Sequence, residues 1–150
     1  MNEKSADGKS ANPFADAPVI YSYSRAQAIE DGVLVDLTAW ARETGFKIPV
    51  ACTAALWHEY IVPPKGTSEL GQSERGRCHD LLWMLWLAIR KSTSHHSQPT
   101  PDRSSGEDTV LFDVIFLQSP KKQVTVKLKA VCGPGDKGEP VITIMRPEED

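Results

Sequence analysis

Hydrophobic positions along this chain change their period once. From 73 to about 91, Cys78, Leu81, Leu82, Leu85, Trp86 and Ile89 recur three and four residues apart, the spacing of one side of an α-helix. Trp83, Met84 and Leu87 widen that side, which predicts either a central helix covered on several sides or one that keeps a face for a partner. Beyond 108 the period becomes two-fold. Val124, Val126, Leu128 and Ala130 alternate with Gln123, Thr125, Lys127 and Lys129, as in a half-solvated strand. The preceding run, 110–117, is apolar except for Asp113 and predicts a buried neighbouring strand. Ser119-Pro120-Lys121-Lys122 makes the turn between the two, and the glycine-rich 133–138 makes a wider turn into a third strand over 141–145.

Shorter elements precede the long helix. Ser24 and Gln27 have the spacing of a capping box, and Gly32 suits the left-handed position past the end of a helix over 25–31. Val33-Leu34-Val35 is extended, then Asp36 or Thr38 caps a second helix that Gly45 ends. Thr53 caps a third helix carrying Leu56, Trp57, Tyr60 and Ile61, stopped by Pro63 and Pro64. Together these elements predict an α+β fold. N-terminal helices, with one long central helix, are followed by a three-stranded antiparallel β-meander on which that helix packs.

Residues 1–18 are poor in large apolar groups and are expected to form a flexible tail. The Ser- and Pro-rich stretch at about 92–108 is expected to be a mobile loop within a single domain spanning 19–150, because neither half alone buries a comfortable core. With 40% hydrophobic and 25% charged residues the chain has globular rather than disordered composition. A net charge of -3 supplies no general field for phosphate backbones, so nucleic acid is not the favoured partner. Cys52, Cys78 and Cys132 form no paired spacing, which points to a reducing cytoplasm. No apolar run reaches the roughly 20 residues that span a bilayer, so no membrane association is expected.

Candidate chemistry is sparse. His58-Glu59 lacks the second histidine, one turn on, of a zinc protease helix, its place being taken by Val62. Adjacent Cys78, His79 and Asp80 point in different directions from a helix and cannot act as nucleophile, base and orienter. His95-His96 stand in the loop without cysteines or other histidines near them in sequence. Glu30, Asp31 and Asp36 group around a turn without the spacing of a calcium loop. The 133–138 loop resembles an anion nest but lacks the ending of a phosphate-binding loop. Lys121, Lys122, Lys127 and Lys129 put positive charge along one strand, either for an acidic partner or to keep a sheet edge from aggregating. No cofactor and no metal site is expected.

Two stretches carry a resemblance. Ser24-Arg25-Ala26-Gln27-Ala28-Ile29-Glu30-Asp31-Gly32-Val33-Leu34-Val35-Asp36 and Gly135-Asp136-Lys137-Gly138-Glu139-Pro140-Val141-Ile142-Thr143-Ile144-Met145 resemble a family of small uncharacterised proteins carried on proteobacterial plasmids, phages and integrative elements. That resemblance implies a genomic setting, which favours an accessory role such as interference with host defence, and carries no known activity. Two functional expectations follow. The first is a non-catalytic protein-binding module using Trp83, Trp86 and the four lysines. The alternative is a small nucleic-acid-directed or nucleotide-transferring enzyme of toxin or ribonuclease type, with Arg25, Glu30, Asp31, His58 and Lys127 supplying acid, base and phosphate contacts.

Overall fold

A computed structural model describes residues 23–94 and 108–149. The expected tail, His95-His96 and most of the expected loop lie outside them. Ser92 to Ser94 continue the long helix, and Asp108 already begins a strand.

The capping box forms as expected. The Ser24 hydroxyl accepts from the Gln27 amide while the Gln27 side chain accepts from the Ser24 amide, opening helix α1 (Arg25–Glu30). Gly32, at φ 80°, turns the chain into strand β1 (Leu34–Asp36). Asp36 accepts from the amide and hydroxyl of Thr38 at the start of α2 (Thr38–Thr44), which Gly45 ends at φ 120°. Strand β2 (Val50–Thr53) follows. Thr53 then caps a single turn, α3 (Ala54–Leu56), through the Leu56 amide.

The expected third helix does not stay α-helical: 57–61 widens into a π turn, closed by the Val62 amide on the Trp57 carbonyl. Pro63 and Pro64 explain the departure, because they remove the amides that the carbonyls of Glu59 and Tyr60 would use in an α-helix. The Tyr60 carbonyl instead accepts from Arg77 Nε at 2.6 Å.

The long helix, α4 (Glu74–Ser94), starts where Ser73 accepts from the Gly76 amide. Strands β3 (Asp108–Ser119), β4 (Lys122–Pro134) and β5 (Pro140–Met145) complete the chain. The sheet is five-stranded and mixed, in the order β1-β2-β5-β4-β3, which corrects the expected three-stranded meander. Strands β3, β4 and β5 are antiparallel neighbours, but β2 adds in parallel to β5, with Val50 opposite Ile142, and β1 adds antiparallel to β2. Two such short strands have no readable period, and the partner of β2 lies far along the chain.

Register divides the sheet into two faces. Val35, Val50, Cys52, Ile142, Ile144, Ala130, Leu128, Phe112, Val114 and Phe116 share the inner face. They form one core with Cys78, Leu81, Leu82 and Leu85 of α4 and with Leu37, Ala41 and Phe46. Burial pushes the Cys78 thiol up to about 12 and the Cys52 thiol higher still, so both are inert packing groups.

The strand 108–119 is not buried on both faces, as its composition suggested. It lies at the sheet edge, with Leu111 57% and Ile115 60% exposed on the outer face. Of the two expectations for α4, cover on several sides is not met at Trp83, Met84 and Leu87, which are 46%, 38% and 41% exposed.

Candidate functional site

The outer face of the sheet brings the chain's two most recognisable stretches together. Both carboxylate oxygens of Asp136, in the β4–β5 loop, accept from the first amides of α1, Arg25 at 2.7 Å and Ala26 at 3.0 Å. These bonds hold the Asp136 carboxyl below its ordinary range. The glycine-rich loop therefore makes the strand connection its sequence favoured and, through Asp136, supplies an anion to a helix start. Arg25 then reaches across β5, donating from Nη1 to Thr143 Oγ1 at 2.6 Å and from Nη2 to the Ile142 carbonyl at 2.7 Å. Burial lowers its pKa, and the charges of Asp36, Asp136 and Glu139 act in the opposite direction.

Beside this junction runs an open groove of about 630 Å³, lined by Tyr23, Arg25, Thr109, Lys129, Val131 and Thr143 among others. Arg25 and the lysine-bearing strand thus share a hollow. Three of its polar side chains are already engaged: Arg25 is bound to Thr143 and Ile142, Tyr23 donates to Asp31 at 2.6 Å, and the Lys129 ammonium donates to the Glu149 carbonyl.

The other residues of the expected enzyme set stand elsewhere. Glu30 closes α1 and Asp31 caps its end, outside the groove lining. Lys127 pairs with Asp113 directly opposite on β3, at 3.5 Å. It also borders a second hollow of about 540 Å³ together with Glu59, Tyr60, Arg146 and Glu148. The charges of that hollow neutralise one another, Arg146 meeting Glu59 at 2.8 Å and Glu148 at 3.3 Å. His58 is exposed on the π turn and lines neither hollow. Arg25, Glu30, Asp31, His58 and Lys127 therefore do not converge, and among the described residues no group of three or more His, Cys, Asp or Glu side chains could hold a metal ion.

The expected binding residues also separate. Lys121 and Lys122 stand exposed at the β3–β4 turn, while Lys127 and Lys129 share the outer face farther along β4, each already engaged. Trp86 is half-buried, its ring edge-on to Phe46 at 5.5 Å and close over Gly45. Trp83, by contrast, points outward. One turn on, Leu87 continues from it, and Met84 flanks both, so α4 carries an apolar stripe on the side away from the sheet.

Sequence reasoning missed three features. Asp136 caps α1 from more than a hundred residues away, for which no local signal exists. Arg77 is 2% exposed in the core, where its place in a helical pattern gave no warning. The exposure of Leu111 and Ile115 did have a signal, because Asp113 lies between them at the same strand parity and no charge belongs on a buried face.

Among the described residues no helix is long and apolar enough to cross a membrane. No curated protein and no solved structure matches the chain. The family model that does match covers residues 10–150, nearly the whole sequence and both stretches joined at Asp136, so the chain belongs to the DUF6573 family of unknown function.

Proposed function

We propose that this protein is a non-catalytic binding module that engages a protein partner through the outer stripe of α4. The observation that carries this reading is the exposure of Trp83, Met84 and Leu87 side by side on the longest helix. A large aromatic ring flanked by flexible apolar side chains is the composition of an interface anchor. Its natural complement is the apolar face of a partner helix. The dispersal of Arg25, Glu30, Asp31, His58 and Lys127 counts against the enzyme alternative, which needs its acid, base and phosphate contacts in one cleft.

The resemblance to proteins of plasmids, phages and integrative elements supports an accessory role on a mobile element, with a host or element protein as target. The cytoplasm is the setting that three free cysteines suit. The test is affinity purification of the tagged protein from its host, with and without nuclease, beside a Trp83→Lys variant. A stoichiometric protein that survives nuclease and is lost with Trp83→Lys is expected. Recovery of RNA or DNA alone, or a partner indifferent to Trp83→Lys, would overturn the reading.

A further inference from the structure

The two ends of the sheet differ in a way that a free monomer does not explain. At one end β1 has three residues and is flanked at once by α1 and α2, so almost no main chain is left unpaired. At the other, β3 runs for twelve residues with β4 on one side and, among the described residues, no strand on the other. Along such an edge every second residue turns its N–H and C=O outward, a template for another strand. Natural edges are usually blunted by shortness, by proline or by charge. Over 109–117 the edge has no proline and one charge, Asp113, which Lys127 neutralises at 3.5 Å. Among the described residues its far end is closed, by the irregularity between Leu117 and Ser119 and by Arg77 donating to the Leu117 carbonyl at 2.8 Å.

We infer that the free edge of β3 pairs with β3 of a second copy of this chain, across a two-fold axis, so that two five-stranded sheets become one. This goes beyond the protein-binding reading and centres on the sheet edge rather than on the α4 stripe, the two surfaces meeting at Met84.

The occupant follows from the character of the edge. It is neutral, and it is apolar on both faces: Phe112, Val114 and Phe116 inside, Leu111 and Ile115 outside. A strongly charged peptide would find no opposite charge to meet, whereas a strand apolar on both faces matches, and β3 is such a strand. Antiparallel pairing about an axis normal to the sheet keeps inner residues against inner and outer against outer. Centred on Asp113, the pairing would set two carboxylates opposite each other, which is unfavourable. Centred on Val114, it sets Leu111 opposite Leu117 of the copy, Phe112 opposite Phe116, and Asp113 opposite Ile115, with no like charges facing.

The helical layer allows the same approach. Ala88, Lys91 and Ser92 of α4 line a hollow of about 450 Å³ with Thr109, Val110 and Leu111, so this side of α4 stands over the open edge. Met84, one turn before Ala88, lies on that side and is 38% exposed. Joining the sheets would bring the two α4 helices together there, adding side-chain burial to the strand pairing.

The test is sedimentation of the full chain from low micromolar to hundreds of micromolar, with a Leu111→Glu/Ile115→Glu variant and Trp83→Lys as a control. The wild type is expected at twice 16.5 kDa. The double glutamate variant should weaken the dimer by about a hundredfold or more, because it sets the new carboxylate at position 115 opposite Asp113 of the copy, twice by the two-fold symmetry. Trp83→Lys should leave the dimer unchanged. Amide exchange of the wild type at high and low concentration gives a reading that needs no variant: protection gained over 109–117 is expected. A wild type that stays monomeric throughout, a double glutamate variant that folds and still dimerises, or a dimer lost only with Trp83→Lys would each overturn the inference. Because the partner experiment reads Trp83 and this one reads β3, either proposal can fail without the other.

Discussion

Arg77 is where a single side chain does most to join the parts of this fold. Its guanidinium lies 4.9 Å from the centre of the Phe116 ring and donates to the Tyr60 carbonyl, the Gln72 side chain and the Leu117 carbonyl. Burial pulls its pKa down, with the charge of Asp80 opposing. It therefore connects α4, the π turn and the end of β3, and it replaces the donor that Pro64 denies to Tyr60. A compact ammonium cannot stack and fork in this way. Arg77→Lys is expected to cost about 2 kcal/mol of stability. Arg77→Ala, which orphans buried carbonyls and leaves a void, should cost about 3 kcal/mol or more. Urea melts of the two variants measure both, and a lysine variant as stable as the wild type would refute this role. The position of Arg77 in the helix was legible from the sequence, but its direction was not, since a charged residue near a helix start normally faces water.

Among the elements, α1 depends most on the rest of the molecule. Six residues are too few to hold a helix in water, and its supports come partly from its own capping box and partly from Asp136 and β5. The capping box was readable because its residues are three apart. The cap from Asp136 was not, because nothing in a glycine-rich turn says which amides lie above it. The docking should depend on pH with a definite sign. The Asp136 carboxyl has a lower pKa folded than its ordinary 3.8, so its contribution is complete above that value and is lost as pH falls through the lower, folded one. Amide exchange in α1 should therefore accelerate as pH falls below about 4, beyond the intrinsic trend, in the wild type but not in Asp136→Asn. An identical pH response in both proteins would show that the carboxylate does not hold the helix.

Across the whole molecule, the parallel pairing of β2 with β5 ties the helical first half to the strands of the second. A chain organised this way should unfold as one unit. Trp40 stacked on Trp57, and Trp86 against Phe46, report on the helical layer, while the far-ultraviolet signal reports on helices and strands together. Urea transitions followed by tryptophan fluorescence and by circular dichroism are expected to coincide, and separate midpoints would mean that the halves fold independently. The α+β class, the long helix from Ser73, the caps at Ser24 and Thr53 and the stops at Gly32 and Gly45 were determined by sequence alone, because each rests on side chains a few residues apart. The joining of β1 and β2 to the sheet, the meeting of Asp136 with α1, the burial of Arg77 and the open outer face of β3 were decided only by the tertiary structure. Those features depend on which distant segments come into contact, and neither periodicity nor local hydrogen bonding carries that information.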